Sequence, residues 1–456
     1  MFPINFRGAT AVLLAVALCA SMAQDFSRAA DPAAKAGEKP AVENWKKGWE
    51  NKYQSDDLHA LSIDPQGQRL AYTVGGTVKV LDLASGKERL TLKSPMRAGP
   101  FFDSSAEGLG ANATPIIRHL EFSPDGKMLA TDGGTRAVEL WDLEKGKLRF
   151  RLGSMPGVLA FSPDGKQLAT NGPWAANRGA QVMLWDVATG RSSTSFVVPE
   201  SDPGTIVMGL AYAPNGKALA VQTKLAFKPD PAVLQGAKPL VSIPYSPDGK
   251  PLPPAKVNLA FEADPQQTAR EKRMVTIIDL ATRKPSWQRK VDCRDMRFAD
   301  NKRLLLYTFE WGRQPGELRA KVEVWDVETR KEICTMTVPN IMGVGVGLGD
   351  KNQFSLHPDG RTLATISDVN GKVSIWNAET GKLMKTISVL VDPMPCHAAV
   401  LFSPDGQMMF TSCSTFGSYW GGKPPPWLRA ELKQWRVETG SESSPSSNST
   451  TAPPSP

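Results

Sequence analysis

The sequence predicts an all-β fold: seven copies of a four-stranded antiparallel sheet set in a closed ring. Three observations predict it. A turn of the form FSPDG recurs along the chain, and a strand ending in Trp-Asp or a close variant follows each copy of it. Strand-forming runs in period-two alternation lie between these landmarks, bounded by Pro, Asp and Gly. A single copy is also apolar on both faces, so it must be sandwiched between neighbours.

The clearest copy is IIRHLEFSPDGKMLATDGGTRAVELWDLEKGKLRFRL, from Ile117 to Leu152. It reads as four short strands, HLEF, KMLAT, AVELWD and KLRFRL, broken at SPDG, DGGT and EKGK. Pro124 presets a turn φ, Asp125 can cap its own turn, and Gly126 supplies the positive φ of a tight hairpin. Leu120, Phe122, Leu129, Val138, Leu140 and Trp141 cannot all point to one side.

Six further copies follow the same plan. The first covers Leu58 to Leu92, the third Val158 to Arg191, the fifth Met296 to Met336, the sixth Phe354 to Ile387 and the seventh Val400 to Gly440. The fourth opens at Leu210 and resumes at Met274 after a long insertion. That insertion contains YSPDGK (Tyr245 to Lys250), a candidate eighth start. The PLPP after it cannot supply a central strand, because Pro lacks the ladder donor, so seven is preferred and eight is the alternative.

These residues resemble the WD-repeat β-propellers: FSPDG at Phe122, Phe161 and Phe402, with Trp-Asp at Trp141-Asp142, Trp185-Asp186 and Trp325-Asp326. Variants stand at Leu81-Asp82, Ile278-Asp279, Trp376-Asn377 and Trp435-Arg436. The resemblance implies a seven-bladed propeller over residues 44–440. The family's Gly-His pair, which joins a buried hydrogen-bond network, occurs nowhere here. The export signal and scarcity of His make the chain look like a bacterial envelope member.

The chain has 456 residues, 22% charged and 41% hydrophobic, with net charge +8 and pI ≈ 9.1. The Lys and Arg are scattered rather than blocked, which reads as a solvated basic surface. Residues 1–23 read as a cleaved secretory signal: Arg7, the apolar run Ala11 to Ala20, then Ser21-Met22-Ala23. Lipidation at Cys19 is the alternative, disfavoured by bulky Leu18. No later run approaches the roughly 20 apolar residues of a membrane span. Residues 24–43 read as a flexible leader and 441–456 as a disordered Ser/Pro-rich tail. The expected location is periplasmic or extracellular.

Chemistry is sparse. There is no Gly-rich phosphate loop, G-x-S-x-G elbow, haem attachment or H-E-x-x-H, so no cofactor and no catalytic residue is expected. The four His (His59, His119, His357, His397) stand at different offsets from their turns, so a metal-binding ring is disfavoured. The Trp-Asp carboxylates recur at the repeat period and read as turn formers. A lactonase-type hydrolase would draw on Arg118, His119, Glu310 and His397. Nucleic acid is disfavoured by export. The expected function is a non-catalytic, monomeric protein-interaction scaffold; the alternatives are that hydrolase and a carbohydrate or other ligand binder.

The expected binding face follows from loop lengths. Turns after strands one and three share one face, those after strands two and four the other. The first set stays short. All long insertions fall in the second: Ser94 to Pro115, Asn171 to Ala180, Gln222 to Arg273, Glu310 to Ala320, Pro339 to Asn352 and Ser414 to Ala430. They carry Phe101, Phe102, Trp174, Trp311, Tyr419, Trp420 and Trp427 beside Arg178, Arg313 and Arg429, the residue types of interface hot spots. About half of these aromatics are expected to pack their own loops down.

Two structural expectations remain. Copy seven has three strands, so Asn44 to Gln54, anchored by Trp49 and Tyr53, should supply its fourth; a helical stripe of Trp45, Trp49 and Tyr53 is the rival. Cys396 and Cys413 fall nearly opposite across a hairpin, a plausible disulfide, whereas Cys293 and Cys334 lie too far apart and should be free.

Overall fold

The computed structural model describes residues 45–53, 58, 60–74, 77–94, 117, 119–132, 137–153, 157–173, 175, 177–225, 239–242, 255–258, 273–311, 318–338, 352–366, 372–389, 395–415 and 430–437. The expected signal segment, leader and tail lie outside them. The described residues form seven four-stranded antiparallel sheets and one two-stranded ribbon, with no helix among them. The seven sheets are the blades of a β-propeller.

Each hairpin between strands one and two is built by its own side chains. In blade two the Ser123 hydroxyl donates to Asp125 Oδ1 (2.6 Å) and accepts from the Met128 amide (2.9 Å). Asp125 Oδ1 also accepts from the Lys127 amide, and Gly126 turns through a φ of 71°. The same bonds recur at Ser162 and Asp164 and at Ser403 and Asp405. After strand three the Trp-Asp carboxylate closes the next turn: Asp142, Asp186, Asp279 and Asp326 each accept from the backbone amide three residues on. They are turn formers, as their spacing predicts.

The Trp of that strand reaches across to strand two. Trp141, Trp185, Trp376 and Trp435 donate their indole N–H to Thr131, Thr170, Thr365 and Thr411 at 2.9–3.2 Å. Each bond satisfies a buried indole without a histidine. In blade five Trp325 donates instead to Glu323 (2.9 Å).

Packing accounts for the ring. The buried apolar residues fall into seven clusters, and each joins one blade to the next. Blade two divides between two of them. Leu120, Phe122, Leu129 and Trp141 face blade one, whereas Val138 and Leu140 face blade three. Both faces of a blade are therefore core, which is why no copy is stable alone.

The seventh interface is closed from the N-terminal side. Trp45–Tyr53 is a strand antiparallel to Ala430–Val437, with Trp45 opposite Val437 and Tyr53 opposite Ala430. Trp49 donates its indole N–H to Leu83 O (2.9 Å) in blade one and lies 6.0 Å from the Phe410 ring of blade seven. Asn51 and Gln434 also bond to blade-one carbonyls. The strand reading holds over the helical one because the open edge of blade seven offers a ladder of partners. The side chain of Tyr53, the second expected anchor, lies outside the described residues.

The candidate eighth start is not a blade. Pro239–Ser242 and Ala255–Asn258 pair as an isolated ribbon on either side of YSPDGK and PLPP, and the chain re-enters blade four with Arg273 opposite Lys224. Three insertions are shorter than the sequence suggests. Blade four's strands run to Leu225 and from Arg273, blade five's to Trp311 and from Leu318, and blade seven's to Thr415 and from Ala430. These strand ends are polar or mixed, so they lack the alternation that marks a half-buried strand.

Candidate functional site

The strand ends fix the two faces. Connections after strands one and three span only a few residues, such as 123–127, 162–166 and 187–191. Connections after strands two and four include 93–119, 172–180, 226–272, 339–353 and 416–429. The asymmetry expected from the sequence is thus present in the topology, and the second set forms a loop face.

Most of the predicted contact residues, Phe101, Phe102, Trp174, Arg313, Tyr419, Trp420, Trp427 and Arg429, lie outside the described residues. In the sequence they fall between described strands: between blades one and two, and between strands two and three of blades three, five and seven. Arg178 is described and exposed. Its backbone is held: its amide donates to Ala175 O and its carbonyl accepts from Gly204 (2.9 Å), which ties the blade-three loop to the connector into blade four. Trp311 ends a strand that outreaches its inner neighbour. The last innermost pairing is Cys293 with Thr308, whereas Glu310 pairs with Arg319 and Trp311 with Leu318 beyond it. The backbone of Trp311 therefore stands on a hairpin projecting from the loop face.

The roots of the loops are set by buried charge. Glu139, fully buried, accepts from Arg151 (2.6 Å) and from Ser94 (2.8 Å), where the connector from blade one to blade two begins. In blade seven the Lys433 ammonium is buried between Glu431 (2.6 Å) and Glu50 (3.5 Å) and donates to Val389 O. These pairs anchor the loop roots to the ring, although Glu139 Oε2 is buried with no hydrogen-bond partner among the described residues.

The inner strands are stapled to each other. Ser62, Glu121 and Ser355 accept from the Phe122, Phe161 and Phe402 amides of the next blade. Asn352, at φ 72°, donates its amide to Leu61 O (2.7 Å) and accepts from Arg297, so it links blades one and five.

Of the hydrolase candidates, His119 is buried, and its Nδ1 accepts from the Leu159 amide (3.3 Å) while its own amide donates to Asp132. That is a structural role. Arg118 and the side chains of Glu310 and His397 lie outside the described residues, as does His59. His357 bridges blades six and seven, 3.2 Å from Gly406 O.

The cysteines divide similarly. Cys293 and Cys334 are free thiols, as expected, the first buried and pushed up in pKa by that burial. Cys413 is buried opposite Ala398, and a register shift between Pro395 and His397 displaces Cys396 from direct opposition. The side chain of Cys396 lies outside the described residues.

One cluster on the loop face escapes sequence reasoning. Lys224, Arg273, Asp292 and Arg294 meet where blade four abuts blade five, at the root of the 226–272 insertion. Lys224 and Arg273 lie within the stretch read from sequence as insertion, and no motif marks the other two. No protein-family model and no curated protein matches this chain.

Proposed function

We propose that the chain is an exported propeller of the WD-repeat type that acts as a non-catalytic interaction scaffold, binding a protein partner through its loop face. The observation that carries this reading is the asymmetry of the ring. Seven blades invest their short, self-capped turns on one face and all their long connections on the other. Turn-face side chains are consumed by their own turns, as Ser123, Asp125 and Asp186 illustrate. On the other face Arg178 is exposed on a braced backbone, and Trp311 ends a projecting hairpin. Trp and Arg presented on rigid supports are the usual anchors of protein interfaces. The FSPDG and Trp-Asp repeats, with Trp-to-Thr bonds in four blades, support the family reading.

The test uses the purified chain and partners captured from the native envelope fraction. Replacing Trp174, Trp311 and Trp420 together by Ala is expected to leave the melting transition in place and to weaken capture at least tenfold, about 2 kcal/mol for each true hot spot. Undiminished capture would overturn the proposal.

A further inference from the structure

We propose that the outer edge of blade three is a pairing edge, on which a second copy of this chain sets its own Ser192–Val197 strand antiparallel about a two-fold axis. Each blade ends at the rim in a strand that is bonded on one side only among the described residues. Such an edge is a template for another strand unless charge or proline blunts it. Six of the seven outer strands are blunted, by Lys47, Glu88, Arg149, Arg289, Lys331 and Lys385 among others. The outer strand of blade three, SSTSFV, carries no charge and no proline. Its residues Ser192 to Ser195 are exposed, and so is Val197, at 46%. Ile333 and Met384, exposed apolar residues of two other edges, stand beside Glu332 and Lys385; Val197 has no such neighbour in its strand.

The ladder fixes which groups this edge offers. The Val198 amide donates to Ala180 O (2.7 Å), and Phe196 and Thr194 follow in register opposite Val182 and Leu184. Inward bonding therefore falls on alternate residues, and Ser195 and Val197 direct their N–H and C=O groups out of the sheet. The edge is also braced. Gln181 Nε2 donates to Ser195 Oγ (3.2 Å), and the Ser201 hydroxyl donates to Val198 O (2.6 Å) while accepting from the Ala180 amide (3.0 Å). A strand held this way loses little freedom on pairing. A second copy fits the pattern. Turned about an axis through Phe196, it sets Ser195 opposite Val197 of the second copy and the reverse, so the outward groups of each meet those of the other. Arg191 before the strand and Glu200 after it are both exposed, so antiparallel pairing brings unlike charges together at each end. The same operation on the edge of blade two would set Lys147, Arg149 and Arg151 against their own copies. One strand pair buries less than the roughly 1,200 Å² of a stable interface, so the dimer is weak, with a dissociation constant on the order of 100 μM.

The proposal departs from the monomer expected from the sequence, and it stands or falls apart from the scaffold reading. The full chain is followed by sedimentation velocity from about 1 to about 300 μM, a range that brackets the expected constant. The sedimentation coefficient should rise with concentration from the monomer value toward the dimer value. Amide hydrogen exchange at Ser195 and Val197 should slow over the same range, while the Phe196 amide, already bonded within the blade, stays unchanged. Ser195→Lys with Val197→Lys sets lysine opposite lysine and should weaken association roughly tenfold or more, with the melting temperature in place because both positions are exposed. Mixing that variant with Ser195→Glu, Val197→Glu chains should restore association, and Met384→Lys on the edge of blade six should change nothing. Should the lysine variant fail to fold, exchange in the unsubstituted chain decides. A monomer over the whole range, or a dimer undiminished in the folded lysine variant, would overturn the proposal. Protection of Ser195 and Val197 that arises only when another protein is added would assign the edge to a strand of that protein and overturn it too.

Discussion

Asp82 shows how much a single residue of the repeat does. Its Oδ1 accepts from the Ser85 hydroxyl (2.7 Å) and amide (2.9 Å), and Arg89 reaches its other oxygen. These bonds, led by the Ser85 hydroxyl, hold its pKa at about 2 against an ordinary 3.8. Asp164, Asp186 and Asp279 are lowered for the same reason, by hydroxyl and amide donors of their own turns. A carboxylate depressed in the folded state binds fewer protons there than when unfolded, so its stabilisation is complete above the unfolded pKa and lost as pH falls through the folded one. The melting temperature should therefore stay level down to about pH 4 and fall steeply between pH 4 and pH 2. A scan that stayed flat to pH 2 would show that these turns contribute nothing to stability. These residues were legible in the sequence, because a turn motif states its own chemistry at short range. Arg283 and Arg330 were not. They sit at φ near 60° where sister turns carry Gly, and they are retained by contacts to other blades, Arg283 over the Phe196 ring and Arg330 to Ser286 O.

At the scale of elements, the strand Trp45–Tyr53 matters most. It pairs with the last strand of blade seven and inserts Trp49 into the interface between blades seven and one, beside Leu83 and Phe410. Deleting residues 44–54 should lower the melting temperature by several degrees, the scale for losing about 3 kcal/mol of Trp burial in a large domain. An unchanged melting temperature in the deletion would mean that the ring closes without this strand. The closing strand could be read from sequence by arithmetic, since the seventh copy lacked a fourth strand. The extended hairpins of blades four, five and seven could not. Their outer residues, such as Lys224, Glu310 and Arg319, owe their strand geometry to ladder partners rather than to alternation. Six blades also carry a register shift between strands three and four, immediately before the Trp or its equivalent. Such bulges add twist and leave no short-range signature in the sequence.

For the whole molecule, the core lies in a ring of seven like interfaces between blades, and the long connections are gathered on one face of it. The repeat period made the ring legible and loop length made the face legible, because both are properties of spacing. The Lys224, Arg273, Asp292 and Arg294 cluster was hidden for the opposite reason: it straddles two adjacent blades, and a long insertion separates Lys224 in sequence from the residues the fold brings beside it. The most direct measurement is site-specific photocross-linking in the envelope fraction, where the proposed function puts the chain. A photoreactive residue placed at Arg178 on the loop face is compared with one at Lys145 in the turn after the third strand of blade two, both exposed. Lysine-directed reagents are unsuitable, since Lys127, Lys145, Lys166, Lys217 and Lys284 crowd the short turns. The account predicts a discrete protein adduct from position 178 and none from position 145. Adducts from position 145 with none from position 178 would place the partner on the turn face and contradict it.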